Sequence, residues 1–137
     1  MAKDIIHEPV KKALVKDQWT ITDDQYTVVY AEFTVYADLA AEKIIAAERD
    51  KKKIAVEIKS FVGPSAVQDT KDALGSYNVY QVFLAELEPD RKLYLAISEK
   101  AYHDVFRLEA VQFLVKRYAI PLIVVDIDRA EVVAWID

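Results

Sequence analysis

Apolar positions recur along this chain in two rhythms. Ile6, Val10, Ala13 and Leu14 fall at i, i+4, i+7 and i+8 and draw one stripe down a helix over residues 6–16. Pro9 fits only the first turn of that helix, where its missing N–H has no intrahelical partner to lose. Glu8, Lys11, Lys12 and Lys16 lie off the stripe. Segments 19–22 and 26–30 are rich in β-branched and aromatic residues and predict strands, with further strands over 33–39 and 43–48. The run Asp50-Lys51-Lys52-Lys53 predicts a turn, and residues 54–61 give the clearest strand of the first half.

The helical rhythm returns after Val62-Gly63-Pro64-Ser65. Ser65 is placed to cap a helix reaching about Leu87, with Ala73, Tyr77, Tyr80, Leu84 and Leu87 on one face. Glu88-Pro89-Asp90 ends it, and residues 93–97 follow as a nearly continuous apolar strand. Ser98 caps a last predicted helix to about Tyr118, with Tyr102, Phe106, Ala110, Phe113 and Leu114 inward. Strands over 120–125 and 132–136 close the chain. Two continuous apolar strands separated by a helix imply parallel strands covered on both faces, whereas the early strands read as an antiparallel meander. The architecture is α/β, a mixed central β-sheet flanked by helices, in one domain over residues 1–137.

Composition narrows the classes. A hydrophobic share of 53% with two glycines and four prolines excludes disorder, and no repeat or linker interrupts the chain. The absence of cysteine excludes disulfides and thiolate metal sites. The N-terminus lacks the apolar core of a signal peptide, and the longest apolar run, Ile120 to Val125, is far short of a membrane span. A soluble, cytoplasmic protein with no membrane partner is the expectation. A net charge of −5 means that any grip on nucleic acid is local or shared with a partner.

One constellation carries chemistry. In the strand 54–61, Ile54, Val56 and Ile58 point to one face, and Glu57 and Lys59 to the other. Asp38 lies nineteen positions before Glu57, at the end of a predicted strand, with room for a turn back to a neighbouring one. Two carboxylates suffice to hold Mg²⁺ or Mn²⁺, since such ions keep several waters. An ammonium beside them serves a metal-bound water or a phosphate. A Glu-x-Lys pair on a solvated strand face is more often inert. Here the strand is strongly apolar on its other face, a Gly-Pro break and a long helix follow it, and the second half has a βαβ pattern.

The string Asp38 … Glu57-Ile58-Lys59 resembles the site motif of the PD-(D/E)xK nuclease superfamily, with Ala37 where that motif often has proline. A closer resemblance spans nearly the whole chain. The segments Met1-Ala2-Lys3-Asp4-Ile5, Asp38-Leu39-Ala40-Ala41-Glu42-Lys43, Ile45-Ala46-Ala47-Glu48 and Ile54 to Phe61 are similar to the XisH family. So are Ala73-Leu74-Gly75, Glu88-Pro89-Asp90-Arg91, Leu93-Tyr94-Leu95-Ala96 and the ending Val133-Ala134-Trp135-Ile136. XisH proteins are the cyanobacterial controlling factors for excision of the fdxN element, a DNA insertion removed by a site-specific recombinase during heterocyst development. The resemblance implies a restriction-endonuclease-like fold and a role in programmed DNA rearrangement, with DNA, the recombinase and a companion factor, XisI, as partners. Whether the chain cuts DNA with Asp38, Glu57 and Lys59 or docks to it stays open, as does self-association. The family's usual Gly-Gln-Phe reads Gly75-Ser76-Tyr77 here; the glutamine often helps superfamily nucleases order the site, and Ser76 is shorter.

Other residues carry weaker expectations. A carboxylate on the first helix sometimes completes the metal site of related nucleases, which makes Glu8 a candidate; the alternative is a surface pair with Lys11 or Lys12. Glu48 competes with Asp38 as the second carboxylate, and Asp38 is preferred because an aspartate at a strand end matches the superfamily it resembles. Arg49 and Lys51 to Lys53 either touch phosphate or form a solvated turn. His7 and His103 have no metal-ligand spacing and read as bystanders. Tyr77 and Tyr80 are expected in the core, with stacking on a base as the alternative.

Overall fold

The computed structural model describes residues 3–45 and 50–137. Its elements run α1 (His7–Lys16), β1 (Thr20–Asp23), β2 (Tyr26–Tyr30), β3 (Phe33–Ala37), β4 (Leu39–Ile45), β5 (Asp50–Ile58), α2 (Ala66–Leu87), β6 (Arg91–Ser98), α3 (Glu99–Asp104), α4 (Glu109–Arg117), β7 (Leu122–Asp126) and β8 (Glu131–Ile136). Six strands form one mixed sheet in the order β1-β4-β5-β6-β7-β8, and β2 with β3 forms a separate hairpin. β5, β6 and β7 are parallel, and the strands outside them are antiparallel. The parallel centre and the α/β class are those expected from the apolar runs.

The sheet has two buried faces. Ile54, Val56 and Ile58 of β5, with Tyr94, Ala96, Ile123 and Val125, pack under Val10, Ala13 and Leu14 of α1. Ala55, Leu93, Leu95, Ile97, Leu122 and Val124 face Ala73, Tyr77 and Leu84 of α2 and Val111 of α4. Period-two alternation therefore assigns Glu57 to the α2 side. Ser65 caps α2 as expected, its Oγ accepting the Gln68 N–H at 3.1 Å. Buried Arg91 ties three elements: it donates to Glu88 and to the Ile54 carbonyl, and it lies over the Tyr26 ring.

Several sequence expectations are corrected. The segment 50–53 is not a turn but the first part of β5, paired to β4 from Ile45↔Asp50 onward. A charged solvated start to a long strand mimics turn composition. The expected strand 33–39 is broken at Asp38, which separates β3 from β4, and β1 pairs with β4 rather than joining a meander with β2. β4 begins at Leu39, earlier than the strand expected over 43–48, whose last residues lie outside the described ones. β5 stops at Ile58, short of Phe61. The single helix expected over 98–118 is two, broken so that Val105 and Phe106 both turn inward. That break rotates α4, burying Val111 and leaving Ala110 and Phe113 exposed, Phe113 at 66%. Leu87 is likewise exposed.

Candidate functional site

Asp38 sits where the chain leaves the hairpin and enters the sheet. Its N–H donates to the Val56 carbonyl at 3.1 Å, and its Oδ2 accepts the Ile58 N–H at 2.7 Å. A side chain thus takes over a main-chain ladder position opposite Glu57, and this pins the carboxylate at the edge of β5. The Asp38 and Glu57 carboxyl groups lie against one another. The expectation that strands bring Asp38 and Glu57 to one place is met.

The pair is electrostatically unusual. Burial, and then the Asp38 carboxylate, push the Glu57 carboxyl up to about 10. At neutral pH Glu57 therefore keeps its proton. Glu57 Oε2 is buried and has no hydrogen-bond partner. A desolvated, unpartnered oxygen beside a second carboxylate is a poor structural choice and a fitting one for a hard dication, which accepts oxygen ligands and supplies the missing charge. Asp38 and Glu57 are the residues that would hold Mg²⁺ or Mn²⁺.

Two α2 side chains complete the surroundings. The Tyr80 phenol, beside the pair, is pushed up to about 12 by its burial and by the Glu57 and Asp38 charges. Tyr80 is thus neither a core filler nor a free stacking platform, as its sequence position suggested, but part of the wall of the pair. Ser76 lies one turn before it on α2. Tyr77 is buried as expected and donates to the Leu93 carbonyl at 3.2 Å.

Lys59 follows the end of β5 on the same face as Glu57. Its Nζ lies 3.8 Å from Asp69 Oδ1, and it forms no ion pair with Asp38 or Glu57 among the described residues. Asp69, in the first turn of α2, also accepts the Gly63 N–H at 2.9 Å. Sequence reading missed Asp69, whose one signal was an acidic residue in the first turn of a helix just after a glycine.

Glu8 does not join the pair. Its carboxylate is 3.5 Å from Lys3 Nζ and 56% exposed, and it clusters with His7 and Asp24. His7, taken as a bystander, is only 3% exposed and bonds Asp24 through Nε2 at 2.8 Å, while Lys11 donates to the same carboxylate. Burial alone would raise the Asp24 carboxyl, but the Lys11 and His7 hydrogen bonds outweigh it and hold it below its ordinary value. Bonded to these two side chains, Asp24 fastens α1 to the β1–β2 turn. Glu48 and Arg49 lie outside the described residues. Lys51 pairs with Glu42 and Lys53 with Asp90, as solvated strand side chains do.

No helix is long and apolar enough to cross a membrane among the described residues. No functionally curated protein matches the chain. The model of a family described as XisH protein matches residues 1–133. The solved structure of an XisH family protein from Nostoc punctiforme PCC 73102 is similar at 32% identity and a TM-score of 0.89, covering 98% of this chain and 100% of that one. A fdxN element excision controlling factor protein from Anabaena variabilis is similar at 36% identity and a TM-score of 0.88, with the same coverage. Matched by the family model over nearly its whole length and by two solved structures end to end, the chain belongs to the XisH family.

Proposed function

We propose that this chain is a controlling factor for excision of a DNA element of the fdxN type, docking to DNA and to recombination partners through a nuclease-like fold with a divalent-cation site at Asp38 and Glu57. The observation that carries the reading is the Asp38–Glu57 pair, with the Glu57 Oε2 buried and unpartnered and a proton held on Glu57 by burial and by Asp38. A bound Mg²⁺ or Mn²⁺ would replace that proton and grip a phosphate oxygen. The 36% identical Anabaena variabilis protein, described as an excision controlling factor, supports the biological role. Asp38 and Glu57-Ile58-Lys59, brought together at neighbouring strands, support the likeness to PD-(D/E)xK nucleases. The net charge of −5 supports a shared grip, in which a companion of the XisI kind and the recombinase bring the chain to DNA in the cytoplasm. The test is excision of such an element, scored by amplification across the rejoined junction in a host that lacks the chain. Native protein should restore excision, and an Asp38→Ala, Glu57→Ala double variant should not. Full restoration by the folded double variant would sink the reading.

A second reading, a metal-dependent endonuclease, is favoured by Lys59 lying on the same strand face as Glu57. It differs in what Lys59 does. For a nuclease, Lys59→Ala abolishes nicking by the Mn²⁺-loaded protein and leaves DNA binding nearly intact. For a docking protein, native protein does not nick and Lys59→Ala weakens binding modestly. Nicking by native protein that Lys59→Ala removes would establish the enzyme.

A further inference from the structure

Asp69 is a carboxylate that the fold has gone to some length to bury. It is 8% exposed, in the first turn of α2, and its Oδ2 accepts the Gly63 N–H at 2.9 Å. The loop between β5 and α2 passes so close that a Cβ on Gly63 would stand 2.7 Å from Asp69 Oδ1 and would push that carboxylate aside. A buried carboxylate demands a cation, and the one that answers is Lys59, at 3.8 Å from the same Oδ1. That distance is an ion pair but longer than a hydrogen bond, so the contact holds the ammonium without locking it. The Lys59 side chain is 28% exposed, which leaves it free to swing.

We infer that Asp69 is a positioning residue that parks the Lys59 ammonium away from the Asp38–Glu57 pair, so that Lys59 must leave Asp69 to take a phosphate oxygen of DNA. The inference rests on the proposed function, since it assumes that the site meets DNA. It assigns regulation to that site: in the DNA-free protein Lys59 is held on Asp69, and DNA competes with Asp69 for it. A DNA phosphate offers the ammonium two solvent-exposed oxygens, whereas Asp69 already accepts the Gly63 N–H. The occupied and parked arrangements therefore differ by one exchanged ion pair.

The experiment is fluorescence anisotropy of the full chain with a labelled DNA duplex in EDTA, titrated across a salt series. Native, Asp69→Asn, Lys59→Ala and the double variant are compared. Asparagine keeps a carbonyl oxygen for the Gly63 N–H and removes only the charge that parks Lys59. Asp69→Asn should tighten binding about threefold to tenfold, the scale of one freed phosphate contact. Lys59→Ala should weaken binding and lower the salt slope by about one. In the double variant the gain from Asp69→Asn should vanish. Gly63→Ala, which displaces the Asp69 carboxylate but keeps its charge, should tighten binding in the same direction and serves if Asp69→Asn does not fold. If Lys59→Ala weakens binding but Asp69→Asn has no effect, or acts equally with and without Lys59, the parking role is refuted while the docking function stands. If Lys59→Ala changes nothing, Lys59 meets no phosphate, and both the docking role given to it and the parking role fall.

Discussion

Glu57→Gln isolates the energetics of the carboxyl pair. The Glu57 carboxyl has an ordinary value of 4.5 and is raised to about 10 in the fold by burial and by Asp38. A folded-state value above the unfolded one means that folding takes up a proton. The associated stability is complete below pH 4.5 and is lost as pH climbs through the folded value. Between those limits stability falls by about 1.4 kcal/mol per pH unit. The roughly 2.5 units between 4.5 and neutral pH correspond to about 3 kcal/mol withheld from the metal-free fold at pH 7. Glutamine is neutral at every pH, and its amide donates to Asp38 where the proton stood. Glu57→Gln should therefore raise the melting temperature at pH 7 in EDTA by about 5–10 °C, and the gain should shrink towards zero near pH 4.5. Mn²⁺ should reverse the order, raising the native melting temperature and leaving the variant unchanged, because the neutral amide is a weaker ligand. Thermal melts across pH 5–9, with and without Mn²⁺, measure both. A variant that melts below native at pH 7 in EDTA, with the native pH slope intact, would refute the reasoning and make Glu57 a structural partner.

Two further outcomes follow from other parts of the molecule. Because Asp24 is held below its ordinary 3.8 by Lys11 and His7, its stabilisation is present above that value and is lost as pH falls through the lower folded one. Asp24→Asn should thus cost about 1 kcal/mol at pH 7 in urea denaturation and remove part of the native loss of stability below about pH 4; a variant as stable as native at pH 7 would show that the anchor is idle. In gel shifts at near-physiological salt, the isolated chain should bind DNA weakly, as its net charge of −5 dictates, and a companion factor should tighten the complex. Nanomolar binding by the chain alone would overturn the shared-grip argument.

The sequence by itself determined which segments are apolar on one side and which on both, and hence the class of fold. Parallel central strands such as β6 and β7 are covered on both faces, so continuous apolar runs announce them without any knowledge of neighbours. Strand alternation likewise put Glu57 and Lys59 on the face opposite Ile54, Val56 and Ile58, since the period of two is a backbone property. Asp38 could be paired with Glu57 because a strand end and a turn back leave few places for it. What only the tertiary structure decided is whatever depends on distance between elements. The start of β5 at Asp50 is composed like a turn, and pairing with β4 makes it a strand. The break between α3 and α4 follows from the way Val105, Phe106 and Val111 fill one core, a demand the local helical pattern does not contain. His7 became the partner of Asp24, Tyr80 the wall of the carboxyl pair and Asp69 the holder of Lys59, across separations of 17, 23 and 10 positions. Charge and burial act through space, and a linear pattern records which residues are present but not which of them are left to neutralise one another when water is removed.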